Sequence, residues 1–168
     1  MILQKLRQNK HIGVNESEII QVPNVTEMSQ GGAEGVMREQ VYTKEKVRKL
    51  ESDLWNFKHN GLSHTDGSAG ESLRDVEFRV KKFIENNILV KNSKLNIVTD
   101  KIPVIAIFMH GIAIKCFLRS IQGSYVNEVP KNKIDNTSIT EVFYDASKES
   151  DLQGWIINRV NDCGHIIS

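Results

Sequence analysis

A largely apolar stretch, residues 103–121, with a histidine and a glycine near its middle most constrains how this chain can fold. Residues 104–108 follow a proline and are all apolar, a pattern typical of a strand buried on both faces of a parallel sheet. After His110 and Gly111, residues 112–121 are again almost entirely apolar, which predicts a mostly buried helix. His110 is therefore predicted to lie where a strand ends and a helix begins.

This position leaves two interpretations of His110. Ligands bind at the carboxyl ends of strands in open α/β sheets, and the first N–H groups of a helix attract anions because they have no partner within the helix. A histidine there could meet a phosphate or a carboxylate. Alternatively, His110 caps the turn and has no further role.

Composition argues against several classes of partner. Lys and Arg total 22 against 21 for Asp and Glu, a formal net charge of +1, so charge gives no case for a nucleic acid or an anionic membrane. No apolar run is long enough for a membrane span, and the N-terminus lacks the apolar core of a signal peptide. The two cysteines, Cys116 and Cys163, fit a reducing compartment better than a disulfide framework or a zinc site. We therefore expect a cytoplasmic protein.

The N-terminal part of the chain divides at Pro23. Residues 1–22 are polar without a clear period and predict an irregular segment. The stretch that follows is rich in glycine, which predicts a loop. Glu27 and Glu34 lie on this loop, either as solvated carboxylates or as catalytic groups.

Two helices and two strands are also predicted. Residues 44–59 have helical spacing, and Asn-Gly at 60–61 supplies a stop. Ser68 and Glu71 match a capping box for a second amphipathic helix that runs to about Ile88. Residues 137–144 and 155–160 read as strands joined by a connection long enough for antiparallel pairing.

Four short motifs occur in order along the chain. They are a Glu-x-x-x-Gly-x-x-Glu-Gly loop that begins at Glu27, Gly70-Glu71-Ser72 before an amphipathic helix, His110-Gly111 between the apolar segments, and Asn-Thr-Ser-Ile-Thr at 136–140 followed by Trp155, Arg159-Val160-Asn161-Asp162 and His165. Together they resemble the histidine phosphatase family, the phosphoglycerate-mutase-like proteins.

The resemblance implies a fold and a chemistry for residues 23–168. The fold is α/β, a three-layer α/β/α architecture with a mainly parallel sheet and helices on both faces, here lacking the family's first strands. The chemistry is phosphoryl transfer through a phosphohistidine, or phosphate monoester hydrolysis, on a phosphorylated small molecule. It uses no metal and no other cofactor.

The resemblance also implies roles for individual residues. His110 is similar to the family's second histidine, which contacts the phosphoryl group, and Gly111 is similar to the small residue that lets the backbone approach it. Glu27 is similar to the proton donor, whereas Glu71 is expected to be a helix cap. Lys5 or Arg7 would take the place of a phosphate-binding arginine, although lysine lacks the bidentate fork that suits phosphate.

The family's Arg-His-Gly motif is absent, because none of the histidines is preceded by arginine and followed by glycine. A covalent phosphohistidine cannot then form by the family route, which argues against activity. We expect a truncated domain whose open sheet edge allows a dimer. Two alternatives stay open. One is a non-catalytic domain that binds a phosphorylated ligand or a protein. The other is an unrelated α/β domain in which Glu27 and His110 lie far apart.

Overall fold

The computed structural model describes residues 19–58, 69–89, 104–123, 131, 133–148 and 154–166. The helices are α1 (Arg38–Val41), α2 (Lys44–Ser52), α3 (Leu73–Asn87) and α4 (Gly111–Gln122), and the strands are β1 (Ile139–Tyr144) and β2 (Trp155–Asp162). Two short 3₁₀ turns, Pro23–Val25 and Gly31–Ala33, precede the helices.

Helix α3 is the amphipathic helix that the sequence predicts. Ser72 is its N-cap and forms a capping box with Asp75, in which each side chain accepts a hydrogen bond from the backbone N–H of the other residue. Such a box satisfies two donors that a helix start leaves without partners. The apolar stripe faces the interior, with Leu73, Val76, Val80, Phe83 and Ile84 all buried.

The predicted capping pair, Ser68 and Glu71, was wrong. Ser68 lies outside the described residues, and the box forms one turn later at Ser72. Glu71 precedes the helix and makes an ion pair with Arg79 instead. The residues immediately before Ser72 are not helical, and at Gly70 the chain runs against the backbone of the loop at residues 29 and 30.

Helix α4 confirms the predicted buried helix after His110. Its buried residues pack against those of α3 and form one core with Val25, which comprises Val25, Leu73, Val76, Val80, Phe83, Ile84, Ala113, Cys116, Phe117, Leu118 and Ile121. The helix ends at Gly123, whose φ of 65° is the left-handed conformation that glycine adopts at little cost. No helix among the described residues is both long enough and apolar enough to cross a membrane.

The strands β1 and β2 form an antiparallel pair, as their sequences predict. The pair docks on α4 through Trp155, whose ring meets Phe117 edge-on at 5.3 Å between centroids. Edge-on aromatic pairs of this kind add to the stability that burial alone gives. In the part of the chain that the structure describes, the sheet has these two strands, and a mainly parallel three-layer sheet stays a prediction.

The prediction of a strand buried on both faces at residues 104–108 was wrong. The segment forms no strand, and Val104 and Phe108 are 96% and 74% exposed. A strand is stabilised by ladder hydrogen bonds to its neighbours, and within the described ranges β1 and β2 pair with each other instead. An apolar run alone therefore did not specify burial.

Helix α2 is shorter than the predicted 44–59. It ends at Ser52 because the side chain of Asp53 accepts hydrogen bonds from the backbone N–H and the side-chain amide of Asn56. An aspartate that bonds the backbone a few residues on offers the chain a turn in place of a further helical turn. The predicted Asn-Gly stop at 60–61 lies outside the described residues.

Replacing Asp75 by asparagine is expected to make the fold less sensitive to acid. Burial alone would raise the pKa of Asp75, but hydrogen bonds from Lys58 and from the backbone and hydroxyl of Ser72 lower it to about 2, below its ordinary value of 3.8. The ionised carboxylate therefore stabilises the fold above about pH 4, and this contribution is lost as the pH falls through about 2. With 39% of the side chain exposed, we expect about 1 kcal/mol.

Urea unfolding at about pH 6 and about pH 2.5 measures this contribution. The wild type should lose more stability between the two pH values than Asp75→Asn does. Glu51→Gln, an exposed carboxylate on α2, is the control and should behave as the wild type. A wild type and an Asp75→Asn variant that lose equal stability on acidification would contradict the prediction.

Candidate functional site

Glu27 lies against the N-terminus of α4. One carboxylate oxygen accepts a hydrogen bond from the backbone N–H of Ile112 at 3.2 Å, and the other accepts from the N–H of Met28 at 2.8 Å. The N–H groups of the first helical turn carry partial positive charge and have no partner within the helix, so a carboxylate is stabilised there. The contact joins residues that are 85 positions apart in the chain.

His110 occupies the N-cap position of α4, but its side chain makes no capping hydrogen bond and is exposed. Only its backbone contributes to the helix start, since its carbonyl accepts the N–H of Ile114 at 2.9 Å. His110 therefore caps the turn through its backbone, as the alternative interpretation expects, and not through its side chain. The imidazole is available to a ligand at the same helix end that Glu27 contacts.

Gly111 begins the helix, and packing does not require a glycine there. A Cβ atom added at this position would meet nothing within 4 Å. Neither a tight fit against the described residues nor a special backbone angle therefore explains the glycine. The position of Gly111 beside a phosphoryl group, which the resemblance implies, stays a prediction.

The structure brings Glu27, His110 and Gly111 to one helix end. The alternative that Glu27 and His110 lie far apart is contradicted, because Glu27 bonds the N–H of the residue two positions after His110. Lys5 and Arg7, the predicted phosphate-binding cations, lie outside the described residues.

Glu71 and Arg79 hold the loop that carries Glu27. Their side chains pair at 2.7 Å and are mostly buried, with 26% and 17% exposed. Burial alone would raise the pKa of Glu71, but hydrogen bonds from Arg79 and from the N–H of Ser29 outweigh it and lower this pKa, which keeps the carboxylate ionised at neutral pH. Sequence reasoning missed Arg79. The available signal was an arginine two turns after Glu71 beside the apolar stripe of α3.

Other motif residues have roles within the chain. The Glu34 carboxylate accepts hydrogen bonds from the Ser29 hydroxyl at 2.8 Å and the Gln30 N–H at 2.9 Å, which closes the glycine-rich loop. Asn161 accepts the N–H of Asp135 and donates to its carboxylate, which ties the end of β2 to the residues before β1. These contacts explain the residues without a ligand.

Cys116 is not a nucleophile in this fold. Its thiol is buried in the core and donates to the carbonyl of Leu73 at 3.6 Å. Burial, with a smaller effect of the Glu77 and Glu27 charges, raises its pKa to about 12. The reactive thiolate is therefore scarcely formed at neutral pH.

A cavity of about 730 Å³ lies elsewhere, beside α3. Its lining includes Trp55, Lys58, Asp75, Glu77, Phe78 and Arg119, but neither Glu27 nor His110. The charged side chains pair with each other, Lys58 with Asp75 and Arg119 with Glu77, and the Arg119 guanidinium lies 4.1 Å from the centre of the Trp55 ring. This cavity is therefore separate from the helix end at which Glu27 and His110 lie.

Within the described ranges, no group of three or more His, Cys, Asp or Glu side chains is arranged to hold a metal ion. The donor groups at the α4 N-terminus are the Glu27 carboxylate, the His110 imidazole and the backbone N–H of Ile112. The helix end and the imidazole suit an anionic group, whereas the Glu27 carboxylate, which accepts the Ile112 N–H, disfavours a second negative charge beside it.

Comparison with known families gives one match. The model of the family described as Histidine phosphatase superfamily (branch 1) matches residues 9–162. The matched range spans most of the chain and includes Glu27, Arg79 and His110. No curated protein matches the chain at a significant level.

Proposed function

The chain belongs to the histidine phosphatase superfamily, and from this we propose that it binds phosphate monoesters at the N-terminus of α4, where His110 and Glu27 serve phosphoryl chemistry. The observation that carries the proposal is the hydrogen bond from Ile112 to Glu27. It joins the acidic loop to the helix end that follows His110, across 85 residues of sequence.

Each group has a chemical role in this proposal. The His110 imidazole and the first N–H groups of α4 stabilise the negative charge of the phosphoryl oxygens. For hydrolysis, a water molecule forms the new bond to phosphorus, and Glu27 in its protonated form gives its proton to the leaving oxygen. Gly111 supports the proposal because its missing Cβ would let a phosphoryl oxygen approach the backbone, and Lys5 or Arg7 would supply a further cation.

A second candidate function is binding of a phosphorylated ligand without turnover. The observation that favours it is the sequence itself, in which no histidine stands in an Arg-His-Gly motif. Without that nucleophile, we expect turnover by this chain to be far slower than that of a protein that carries the motif.

Titration with inorganic phosphate, followed by the backbone amide signals of the chain, tests the proposed site. His110→Ala should weaken binding about tenfold, because one donor to the phosphoryl oxygens is lost. Glu27→Gln should tighten binding about threefold, because a neutral amide accepts the Ile112 N–H more weakly than the carboxylate and does not repel the phosphate charge. His165→Ala, which removes an exposed histidine elsewhere, is the control and should bind as the wild type.

The signal of the Ile112 amide should shift most on titration. Phosphate that shifts amides elsewhere, or binds equally to the wild type and His110→Ala, would overturn the proposal. Hydrolysis of p-nitrophenyl phosphate by the same proteins then separates the two candidates. Turnover that both substitutions abolish supports the enzyme, and binding without turnover supports the binding domain.

A further inference from the structure

The guanidinium of Arg79 joins α3 to the loop that carries Glu27. One terminal nitrogen donates to the carbonyl of Asn24 at 2.7 Å, and the other donates to the carbonyl of Glu27 at 3.0 Å. The remaining N–H and the second terminal nitrogen hold the two oxygens of Glu71, at 2.7 and 3.0 Å. A planar fork with several donors can make all these bonds at once, which a lysine ammonium cannot.

Glu71 bonds the same loop from the other side. Its backbone N–H donates to the carbonyl of Ser29 at 2.7 Å, and its carboxylate accepts the N–H of Ser29 at 3.0 Å. Arg79 and Glu71 therefore hold the loop on both sides of Glu27. The charges of Arg79 and Glu71 compensate each other, and each bond to the loop is charge-assisted or backbone to backbone.

Glu27 is consequently held from two helices. Its backbone carbonyl is bound from α3 by Arg79, and its carboxylate is bound from α4 by the Ile112 N–H. Helices α3 and α4 share one core, so the two anchors cannot move far apart. The place of the carboxylate on the α4 N-terminus thus depends on the anchor at Arg79.

We propose that Arg79, oriented by Glu71, is a positioning residue that sets the Glu27 carboxylate on the Ile112 N–H. Arg79 acts through the backbone of Glu27 and does not itself touch a phosphoryl group. This inference rests on the proposed function in one respect only, the identity of the ligand that Glu27 meets. The position of Glu27 in the chain without a ligand can be measured separately.

Amide hydrogen exchange in the absence of ligand tests the anchor directly. Arg79→Lys keeps the charge and loses the fork, and the Ile112 amide should then exchange about tenfold faster as its bond to Glu27 loosens. Arg74→Lys is the matched control, since Arg74 is an exposed arginine on the same helix whose side chain donates to Asn56 at 3.5 Å and not to the Glu27 loop. The core amides of Val80 and Leu118 should exchange as in the wild type in both variants.

Phosphate affinity distinguishes a positioning role of Arg79 from a purely structural one, because the two roles predict changes of affinity in opposite directions. Loss of the anchor frees the Ile112 N–H, so Arg79→Lys should bind inorganic phosphate about twofold more tightly, a change towards that of Glu27→Gln. In the Glu27→Gln background, Arg79→Lys should have no further effect. A residue that only stabilises the fold would weaken binding when replaced.

Each outcome decides the proposal. Exchange at Ile112 that is equal in Arg79→Lys and Arg74→Lys overturns it, and so does a uniform rise across all core amides. If Arg79→Lys does not fold, Glu71→Gln, which keeps the size of the side chain, is measured in its place against the same criteria. Phosphate that binds to no variant overturns the proposed function, while exchange at Ile112 still decides the role of Arg79.

Discussion

Leu118→Ala is expected to lower the free energy of unfolding by about 3 kcal/mol. Leu118 lies in α4 with 1% of its surface exposed and belongs to the core that α4 shares with α3. The substitution removes buried apolar surface and leaves a cavity that the two packed helices can close only partly. Urea unfolding measures the change as a shift of the midpoint at an unchanged slope.

Two valines provide a matched control for burial. Val76 on α3 is 0% exposed and Val104 is 96% exposed, so Val76→Ala should cost about 1 to 2 kcal/mol and Val104→Ala less than about 0.5 kcal/mol. Both substitutions remove the same atoms, so the difference reports the surroundings alone. Equal losses of stability at the two valines would indicate that Val104 is buried, as the sequence predicts. A loss below about 1 kcal/mol at Leu118 would contradict the described core.

Sequence reasoning identified the helices and strands in which the spacing or composition of apolar residues shows which face must be buried. Helix α3 has an apolar stripe at helical spacing, and α4 is apolar on almost every side. The strands β1 and β2 are rich in β-branched and aromatic residues. In each case one face or the whole surface must be buried, so the pattern largely decides the structure.

The errors arose where the deciding contact comes from elsewhere in the chain. Residues 104–108 have the composition of a buried strand, but a strand also needs neighbours to bond its backbone. The helix begins after Ser72 and not after Ser68, and Gly70 packs instead on a loop some forty residues earlier. Neither the presence of a neighbouring strand nor the contact with the loop can be predicted from the local sequence pattern.

The candidate site was found by resemblance rather than by spacing. Nothing in the sequence near Glu27 indicates that it meets Ile112, and the motif order alone placed Glu27 and His110 in one site. Arg79 was missed because an arginine beside an apolar stripe is usually solvated. Its carbonyl partners, on Asn24 and Glu27, become visible only when the loop is folded onto α3.

Gly70-Glu71-Ser72 illustrates how one short motif can serve a site that it does not touch. Gly70 allows the loop to approach, Glu71 binds Ser29 and Arg79, and Ser72 caps α3. The bonds of Glu71 to Ser29 hold the loop of Glu27 on the start of α3, while Ser72 acts within the helix. If the proposed site is correct, the motif contributes to it through the position of Glu27, and its residues need not contact a ligand.

Gly70→Ala is expected to cost about 2 kcal/mol of stability and to loosen Glu27. A Cβ at this position would lie 2.8 Å from the carbonyl carbon of Gln30 and 2.9 Å from the carbonyl oxygen of Ser29. These are backbone atoms, which cannot rotate away, so the loop must move off the start of α3. The bonds between Glu71 and Ser29 would lengthen, and exchange at the Ile112 amide should rise as in Arg79→Lys.

Gly111→Ala is the matched substitution at the helix end that the ligand is proposed to meet. Because a Cβ there meets nothing within 4 Å, the free energy of unfolding should stay within about 0.5 kcal/mol of the wild type or rise slightly, since alanine favours a helix over glycine. Phosphate affinity should nevertheless fall, because the added methyl group stands where the phosphoryl group is proposed to approach the backbone.

Urea unfolding and phosphate titration of both variants separate the two roles. Gly70→Ala should lose stability, and Gly111→Ala should lose affinity at normal stability. A Gly111→Ala variant that binds phosphate as the wild type does would place the phosphoryl group away from this helix end, whatever Gly70→Ala does to the fold.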